Sequence, residues 1–357
     1  MVALARQQAS NCSHPVLDVF TPVDGFLVDV ELLEFVILDK TGPSPVQVFP
    51  AAGREAVDTT QLCPTGGNLS TGHYVATYAV PADANVGTHA IQWFVRVTAG
   101  AAERTFSEEF DVVAAPVEAN SGYCRIQEIR DEGVSVTAAS DERLARLIAL
   151  TSRYIEAVTD RFFEPRALTI GVDGRDSHDL LLEIPIIAVE QLEIVEQGLL
   201  GSPFTGRVSP SNYRVYNRHL TQGLVKPDDR ENPKISFLRD ALVSRPLLGL
   251  TQFFPRGTQN IRVTGVFGYT DPGENPAGET PVLIREVCKR LVLRQLPALT
   301  DASAREDSEK RYRLIEEKSR FQSYKLGPLQ LAGALTGDPE IDNILIQFKR
   351  PVDLGAA

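Results

Sequence analysis

Histidine and cysteine are scarce in this chain, and their spacing is uninformative for chemistry. The five histidines, His14, His73, His89, His178 and His219, are scattered with no H-x-x-x-H pair. The four cysteines, Cys12, Cys63, Cys124 and Cys288, contain no C-x-x-C, which argues against a zinc site. There is no G-x-S-x-G elbow, no G-x-x-x-x-G-K-[ST] phosphate loop and no G-x-G-x-x-G, so neither nucleophilic catalysis nor nucleotide binding has support. No catalytic residue, metal or cofactor is expected. Lysine supplies only 8 of the 36 basic residues, a skew that a GC-rich genome explains as well as any function. Uninterrupted apolar runs of about 18 residues are missing, and Met1–His14 lacks an apolar h-region. Membrane spanning and export by a signal peptide are therefore disfavoured.

What is present suits a folded protein of two or three domains. The 357 residues are 43% hydrophobic and 23% charged, ordinary globular values, with a net charge of −11 that opposes general nucleic-acid or anionic-membrane binding. The charge is unevenly spread: residues 1–118 hold 5 basic against 14 acidic residues, and the remainder is nearly neutral. That predicts an acidic N-terminal module on a body with different contacts. Cys124 and Cys288 fall in helical patterns and read as buried thiols; a Cys12–Cys63 bridge is compatible with the sequence, but four reduced thiols are the preferred reading.

The pattern along the chain predicts an α+β protein. Residues 16–114 alternate with period two: Leu33, Phe35 and Ile37 share one strand face, and His89, Ile91, Trp93, Val95 and Val97 another, with Phe94 the exception. This spacing predicts a small β-sandwich over 1–114, and Gly87-Thr-His-Ala-Ile-Gln-Trp93 with Phe106-Ser-Glu-Glu-Phe-Asp-Val112 resembles an immunoglobulin-like one; a small, polar, Pro-bearing linker follows at 115–121. A helical domain over 122–303 follows. Its main helix is capped by Ser140, and Leu144, Leu147, Ile148, Thr151, Tyr154, Ile155 and Val158 form the apolar stripe that packs its core. Period two returns at about 166–270 as a β insertion, with Asp173-Gly174 read as a hairpin turn, before helix resumes at Thr280-Pro281. Residues 304–357 form a C-terminal arm ending in a short helix, where Ile341, Ile344, Leu345 and Phe348 share one face.

Three constellations invite functional readings. Asp173, Asp176, His178 and Asp179 are read as a hairpin tip rather than a metal loop, because the calcium-loop order of ligands is missing. Asp228-Asp229 and Glu316-Glu317 are read as solvated surface rather than acid/base pairs. Phe162, Phe163, Phe253 and Phe254 beside Arg161 and Arg256 are read as core aromatics rather than a nucleic-acid stacking platform. An interaction or structural role follows.

A resemblance sharpens that role. Tyr123-Cys-Arg-Ile-Gln-Glu-Ile-Arg130, Ser140–Glu156 and Arg161-Phe-Phe-Glu-Pro165 resemble the head-tail connector (adaptor) family of tailed bacteriophages and gene transfer agents. So do Asn212-Tyr-Arg-Val215, Asn260–Tyr269, Pro281–Leu296 and Thr336–Leu345 with Lys349-Arg-Pro351. The resemblance covers residues 122–351 and implies a virion protein of the neck, assembled in the host cytoplasm. Such a protein forms a homo-oligomeric ring, generally twelve-fold, under the portal protein, extends the double-stranded DNA channel and presents a platform for the stopper or tail. It implies that Ile341, Ile344, Leu345, Phe348, Lys349 and Arg350 bind the portal. The N-terminal module departs from the minimal connector, and a capsid contact is one role open to it. The competing reading is a receptor- or carbohydrate-binding tail component, which the single tryptophan, on a strand face expected to be buried, weakens.

Overall fold

The structure, a computed structural model, describes residues 2–5, 9–12, 16–63, 66–113, 122–197, 203–239, 241–245, 249–296 and 335–350. The expected linker at 115–121, Glu316-Glu317, His14 and most of the expected arm lie outside them. The fold is α+β and mostly sheet. It divides into two compact units: a helical one from residues 1–6, 111–161 and 282–357, and a β-rich one from 7–110 and 162–281.

The helical unit holds α1 (Ile126–Asp131), α2 (Asp141–Thr159), α4 (Val282–Gln295) and α5 (Pro339–Phe348). α2 starts where the Ser140 hydroxyl accepts the Arg143 N–H at 3.3 Å and ends at Asp160 in the left-handed region. Its buried face is Leu144, Ala145, Ile148, Thr151, Ser152, Ile155 and Thr159, packed mainly on α4. Leu147 and Val158 are half-buried and Tyr154 is exposed, so these three flank the stripe rather than centre it. The small polar residues take the centre because their hydroxyls are satisfied within the helix: Ser152 donates to Ile148 O and Thr159 to Ile155 O, at 2.8 and 2.7 Å. α4 answers with Ile284, Val287, Cys288, Leu291 and Val292. Each such side chain, fully buried, is worth about 1.5–3 kcal/mol before ordering costs.

Among the strands of the β-rich unit are β1 (Asp18–Phe20), β2 (Pro22–Val23), β3 (Phe26–Leu27), β4 (Leu32–Asp39), β5 (Val46–Phe49), β6 (Glu55–Ala56), β7 (Asn68–Ser70), β8 (His73–Val75) and β9 (Gly87–Arg96). β10 (Arg104–Val113) completes the N-terminal region, whose larger sheet runs β10-β9-β4-β5 with β6 also on β4; β1, β8 and β7 form a second sheet. Trp93 and Phe35 are buried with ring centroids 5.6 Å apart. Phe94, the out-of-phase aromatic, is covered from the wet side by the Arg54 guanidinium, 3.5 Å from its ring. The preference for four reduced thiols does not hold: Cys12 and Cys63 are disulfide-bonded, and only Cys124 and Cys288 are free.

The insertion supplies β11 (Arg166–Gly174), β12 (Asp179–Leu181), β13 (Ile186–Gln197), β14 (Pro203–Arg207), β15 (Tyr213–Val215), the one-turn α3 (Arg218–Gln222) and β16 (Lys234–Phe237). A hairpin of β17 (Val243–Arg245) and β18 (Gly249–Thr251) and the long β19 (Gly257–Phe267) follow. The main sheet runs β11-β19-β13-β3-β2, with β14 also on β13. Two of its strands thus come from the N-terminal region. Phe26 pairs in parallel with Val189, and Val189 N donates to Gly25 O at 2.8 Å. Alternation along β3 then buries Leu27 with Phe20, Ile187, Ala188, Val266 and Ala277, while Phe26 packs on the core cluster that includes Leu192, Ile194 and Val263. The linear boundary expected at residue 114 therefore does not coincide with the compact units. β13 serves both cores because its ladder slips at Ile186/Ala188 and again at Val189/Gln191, turning neighbouring residues to opposite faces.

The Asp173-Gly174 turn is corrected by the register. β11 continues through Gly174, opposite Gly257, and Asp173 Oδ1 accepts the Gln259 N–H at 2.6 Å. The two-residue Asp-Gly hairpin lies instead at Asp24-Gly25, joining β2 to β3, with φ of 50° and 87°.

Candidate functional site

The residues singled out for chemistry are used to hold the β-rich unit together. Asp176 Oδ1 accepts the Arg256 N–H at 2.9 Å, Asp179 binds Lys234 at 2.9 Å and also accepts the Ser236 hydroxyl, and the His178 ring lies 4.4 Å from that of Phe253. Among the described residues, no group of three or more His, Cys, Asp or Glu is placed to hold a metal ion. Phe254 stacks on Phe237 at 4.0 Å, Phe163 is buried, and Phe162 lies under the Arg166 guanidinium.

Asp228-Asp229 differ from their expected reading as solvated surface. Asp229 takes the Arg218 guanidinium at 2.7 and 3.0 Å and Asp228 takes Arg230, which also reaches Asp271 at 2.5 Å. Asp229 and Arg230 are buried. Burial pushes the Asp229 carboxyl up, but the Arg218 hydrogen bonds outweigh it and hold the group below the usual carboxylate range. His219, beside this knot, is buried with neither ring nitrogen hydrogen-bonded, and burial together with the Arg230 charge lowers its pKa to about 4. The sequence shows little sign of this arrangement, because only Asp228 and Arg230 are neighbours in it, whereas Arg218 is 11 residues from Asp229 and Arg230 is 41 from Asp271.

The C-terminal helix is placed by a dense set of bonds. Asp338 caps α5 by accepting from Glu340 N, and Asp342 Oδ1 accepts the Thr336 N–H and hydroxyl at 2.7 and 2.6 Å. Tyr154 donates to Leu335 O at 2.5 Å, Arg290 pairs with Glu340 at 2.6 Å, and Arg350 N donates to Thr159 O at 2.9 Å. Of the six residues the resemblance assigns to a portal contact, Ile341 and Leu345 are fully buried where α5 packs on α2 and α4. Ile344, Phe348 and Arg350 are half-buried and Lys349 is exposed. The stripe is already covered by the chain's own helices. What α5 leaves to a partner is its outer side, where Ile346 is 55% exposed.

The outer face of α2 carries a second row, distinct from the apolar stripe. Arg143, Arg146, Leu150, Arg153 and Ala157 recur at alternating steps of three and four, and all five are exposed. They form a row along the helix opposite Leu144, Ile148 and Ile155. The row was visible in the sequence as the complement of the apolar stripe.

No described helix is long and apolar enough to cross a membrane. No family model matches the chain, and no curated protein matches it. Among solved structures, the chain is similar to one from "Neck of empty GTA particle computed with C6 symmetry", with 18% identity and a TM-score of 0.30 over 49% of this chain and 78% of that one. A TM-score at this level does not establish a shared fold, so a functional reading has to rest on the chain's own residues.

Proposed function

We propose that the chain is a structural protein of the virion neck, a head-tail connector that assembles as a ring under a portal and extends the DNA channel toward the tail, with no catalytic step. The observation that carries this reading is the arrangement of the helical unit. α2 and α4 are separated in sequence by the whole of Phe162–Pro281, yet they pack on each other and both receive α5. The intervening chain is gathered into a separate β-rich unit. A helical frame closed by distant segments, with β structure looped out of its middle, is what the resemblance over residues 122–351 implies. The charge agrees, since a subunit of net −11 offers little average attraction to phosphate and suits a channel that DNA must slide through.

The test is co-expression of the full chain with a portal protein from the same genome, followed by sedimentation and negative-stain electron microscopy. Rings seated on portal particles are expected, and phage lacking the gene should accumulate DNA-filled heads without tails. A chain that neither sediments with portal nor is found in purified virions would overturn the reading.

A further inference from the structure

The cations of the helical unit are mostly matched. Arg130 pairs with Asp141, Arg125 and Arg285 lie 3.8 and 3.9 Å from Glu128, and Lys289 reaches Glu132 at 2.7 Å and Glu286 at 2.9 Å. Arg290 reaches Glu286 at 2.9 Å, and Arg350 lies 3.6 Å from Asp160. Arg143, Arg146 and Arg153 are different: none makes an ion pair among the described residues. They share the solvent pole of α2, with Leu150 between them at 51% exposure. The row from Arg143 to Ala157 is about 21 Å long. Glu142, in the first turn of α2, forms no ion pair with them among the described residues. Like charges three residues apart on a helix, as Arg143 and Arg146 are, cost a few tenths of a kcal/mol, an effect that salt screens. An exposed leucine set among unmatched arginines is a surface that gains by being covered with something both apolar and acidic.

We infer that this row is the surface by which one copy of the chain grips the next, head to tail, on an acidic and apolar face of a second copy. The inference deepens the connector reading, on which it rests for the closure of successive contacts into a ring. Two arguments select the occupant. First, the same chain owns a face of opposite character. At the β5–β6 edge of the N-terminal sheet, Val46 and Val48 are exposed, as are Glu55, Asp58 and Leu62, while the neighbouring Arg54 is held by Glu34 and Glu103; residues 1–118 as a whole carry 14 acidic against 5 basic residues. Second, Leu150 and Ala157 add nothing to a phosphate contact, and the net charge of −11 opposes one, so a nucleic-acid backbone is the poorer fit.

The symmetry follows from the charge. A two-fold contact of α2 on α2 would set arginine against arginine and is penalised. The row therefore meets a different face of its neighbour rather than itself; repeated from copy to copy, such a heterologous contact closes into a ring or continues into a filament, and the connector reading selects the ring.

The experiment is sedimentation velocity on the full chain, alone and with portal, at low, physiological and high salt. The wild type should form an assembled species that weakens as salt rises. Arg146→Glu with Arg153→Glu should raise the concentration for half-assembly by at least about tenfold while the circular-dichroism melt stays unchanged, since both side chains are exposed. Glu55→Arg should weaken wild-type assembly and partly restore that of the double variant; Leu150→Ser should weaken it without altering the salt dependence. A double variant that assembles like the wild type overturns the inference, as does a wild type that stays monomeric with and without portal. So does a double variant that assembles normally but loses binding to a short DNA duplex, which would make the row a phosphate surface. A wild type that self-assembles through this row and never binds portal would leave the inference standing and remove the connector reading. Portal-bound rings unaffected by the double variant would do the reverse.

Discussion

His219 is the residue whose burial is least compensated, and it makes stability depend on pH. Its pKa falls from the ordinary 6.5 to about 4, through burial and the nearby Arg230, with Asp228 and Asp229 opposing. A histidine held neutral in this way favours the folded state fully above about pH 6.5, and that contribution is lost as pH falls toward 4, because the unfolded chain takes the proton first. The loss is on the order of 3 kcal/mol across the window. His219→Leu should flatten urea stability between about pH 6.5 and 4.5 relative to wild type; an unchanged slope would mean that the ring reaches solvent or a partner. The comparison with wild type is needed because Glu108 and Asp111, raised by burial to about 7 and about 6, act in the opposite sense. Each favours folding at acid pH and loses that contribution as pH rises through its folded value. A second residue-scale test concerns Cys12 and Cys63, whose bond closes a loop over a separation of 51 residues. Replacing both by Ser should cost about 4 kcal/mol in denaturant unfolding on the chain-entropy estimate. Cys124 and Cys288, buried with sulfurs 3.4 Å apart, should resist alkylation until the protein unfolds. Residue-level meaning was only partly legible in the sequence. An Asp-Gly pair signals positive φ, which Asp24-Gly25 uses. Gly174 is needed for a different reason: a Cβ there would lie 1.8 Å from Pro255 O, a long-range approach that local sequence does not encode.

At the scale of elements, periodicity identified faces well and partners poorly. The positions of α2, α4 and α5 and of β9 follow the patterns read from the sequence to within a few residues. β2 and β3 were not legible as strands, being two residues each and held by pairing rather than propensity. The same limit applies to α5. Its apolar stripe shows that one face must be buried, but nothing in a ten-residue helix says whether the cover is the chain's own α2 and α4 or another protein. The packing of Ile341 and Leu345 inside the helical unit sets the outcome of mutation. Ile341→Ala and Leu345→Ala should each destabilise the chain by about 2–5 kcal/mol in thermal or urea melts, without any portal present. Truncation after Thr336 should lower the melting temperature as well, which separates this helix from a free arm that only orders on binding. Changes to the outward residues Ile346 and Lys349 should leave the melt within about 0.5 kcal/mol of wild type and are the ones to test for partner binding. A truncated chain that melts like the wild type would show that the stripe is loosely held and available after all.

At the scale of the whole molecule, the linear order of the chain and the order of its cores disagree, and that disagreement decides which fragments can stand alone. Composition suggests a detachable acidic module: residues 1–118 are distinct in charge, and a small, polar, Pro-bearing segment at 115–121 lies at their end. Backbone pairing crosses that division, because β2 and β3 extend the sheet of the insertion and Phe20 and Leu27 cover Ile187, Ala188, Val266 and Ala277. Composition records what a segment is made of, whereas an extra strand on a distant sheet is a register decision settled by a few residues, here the Asp24-Gly25 turn and Phe26 against Val189. Gly25 fits that role tightly, since a Cβ on it would lie 2.8 Å from Val215 Cβ. Removing residues 1–114 should therefore do more than subtract a decoration. It strips the edge of β13 along Val189 and exposes the four side chains that Phe20 and Leu27 cover, an apolar patch beside an unpaired strand, which is the combination that promotes aggregation. Residues 122–357 expressed alone should be less soluble than the full chain and bind a hydrophobic dye. Adding back only a segment that carries Asp18–Val30 by fusion should recover part of the loss. A soluble 122–357 fragment with a cooperative melt equal to that of the full chain would return the N-terminal region to the status of an independent module.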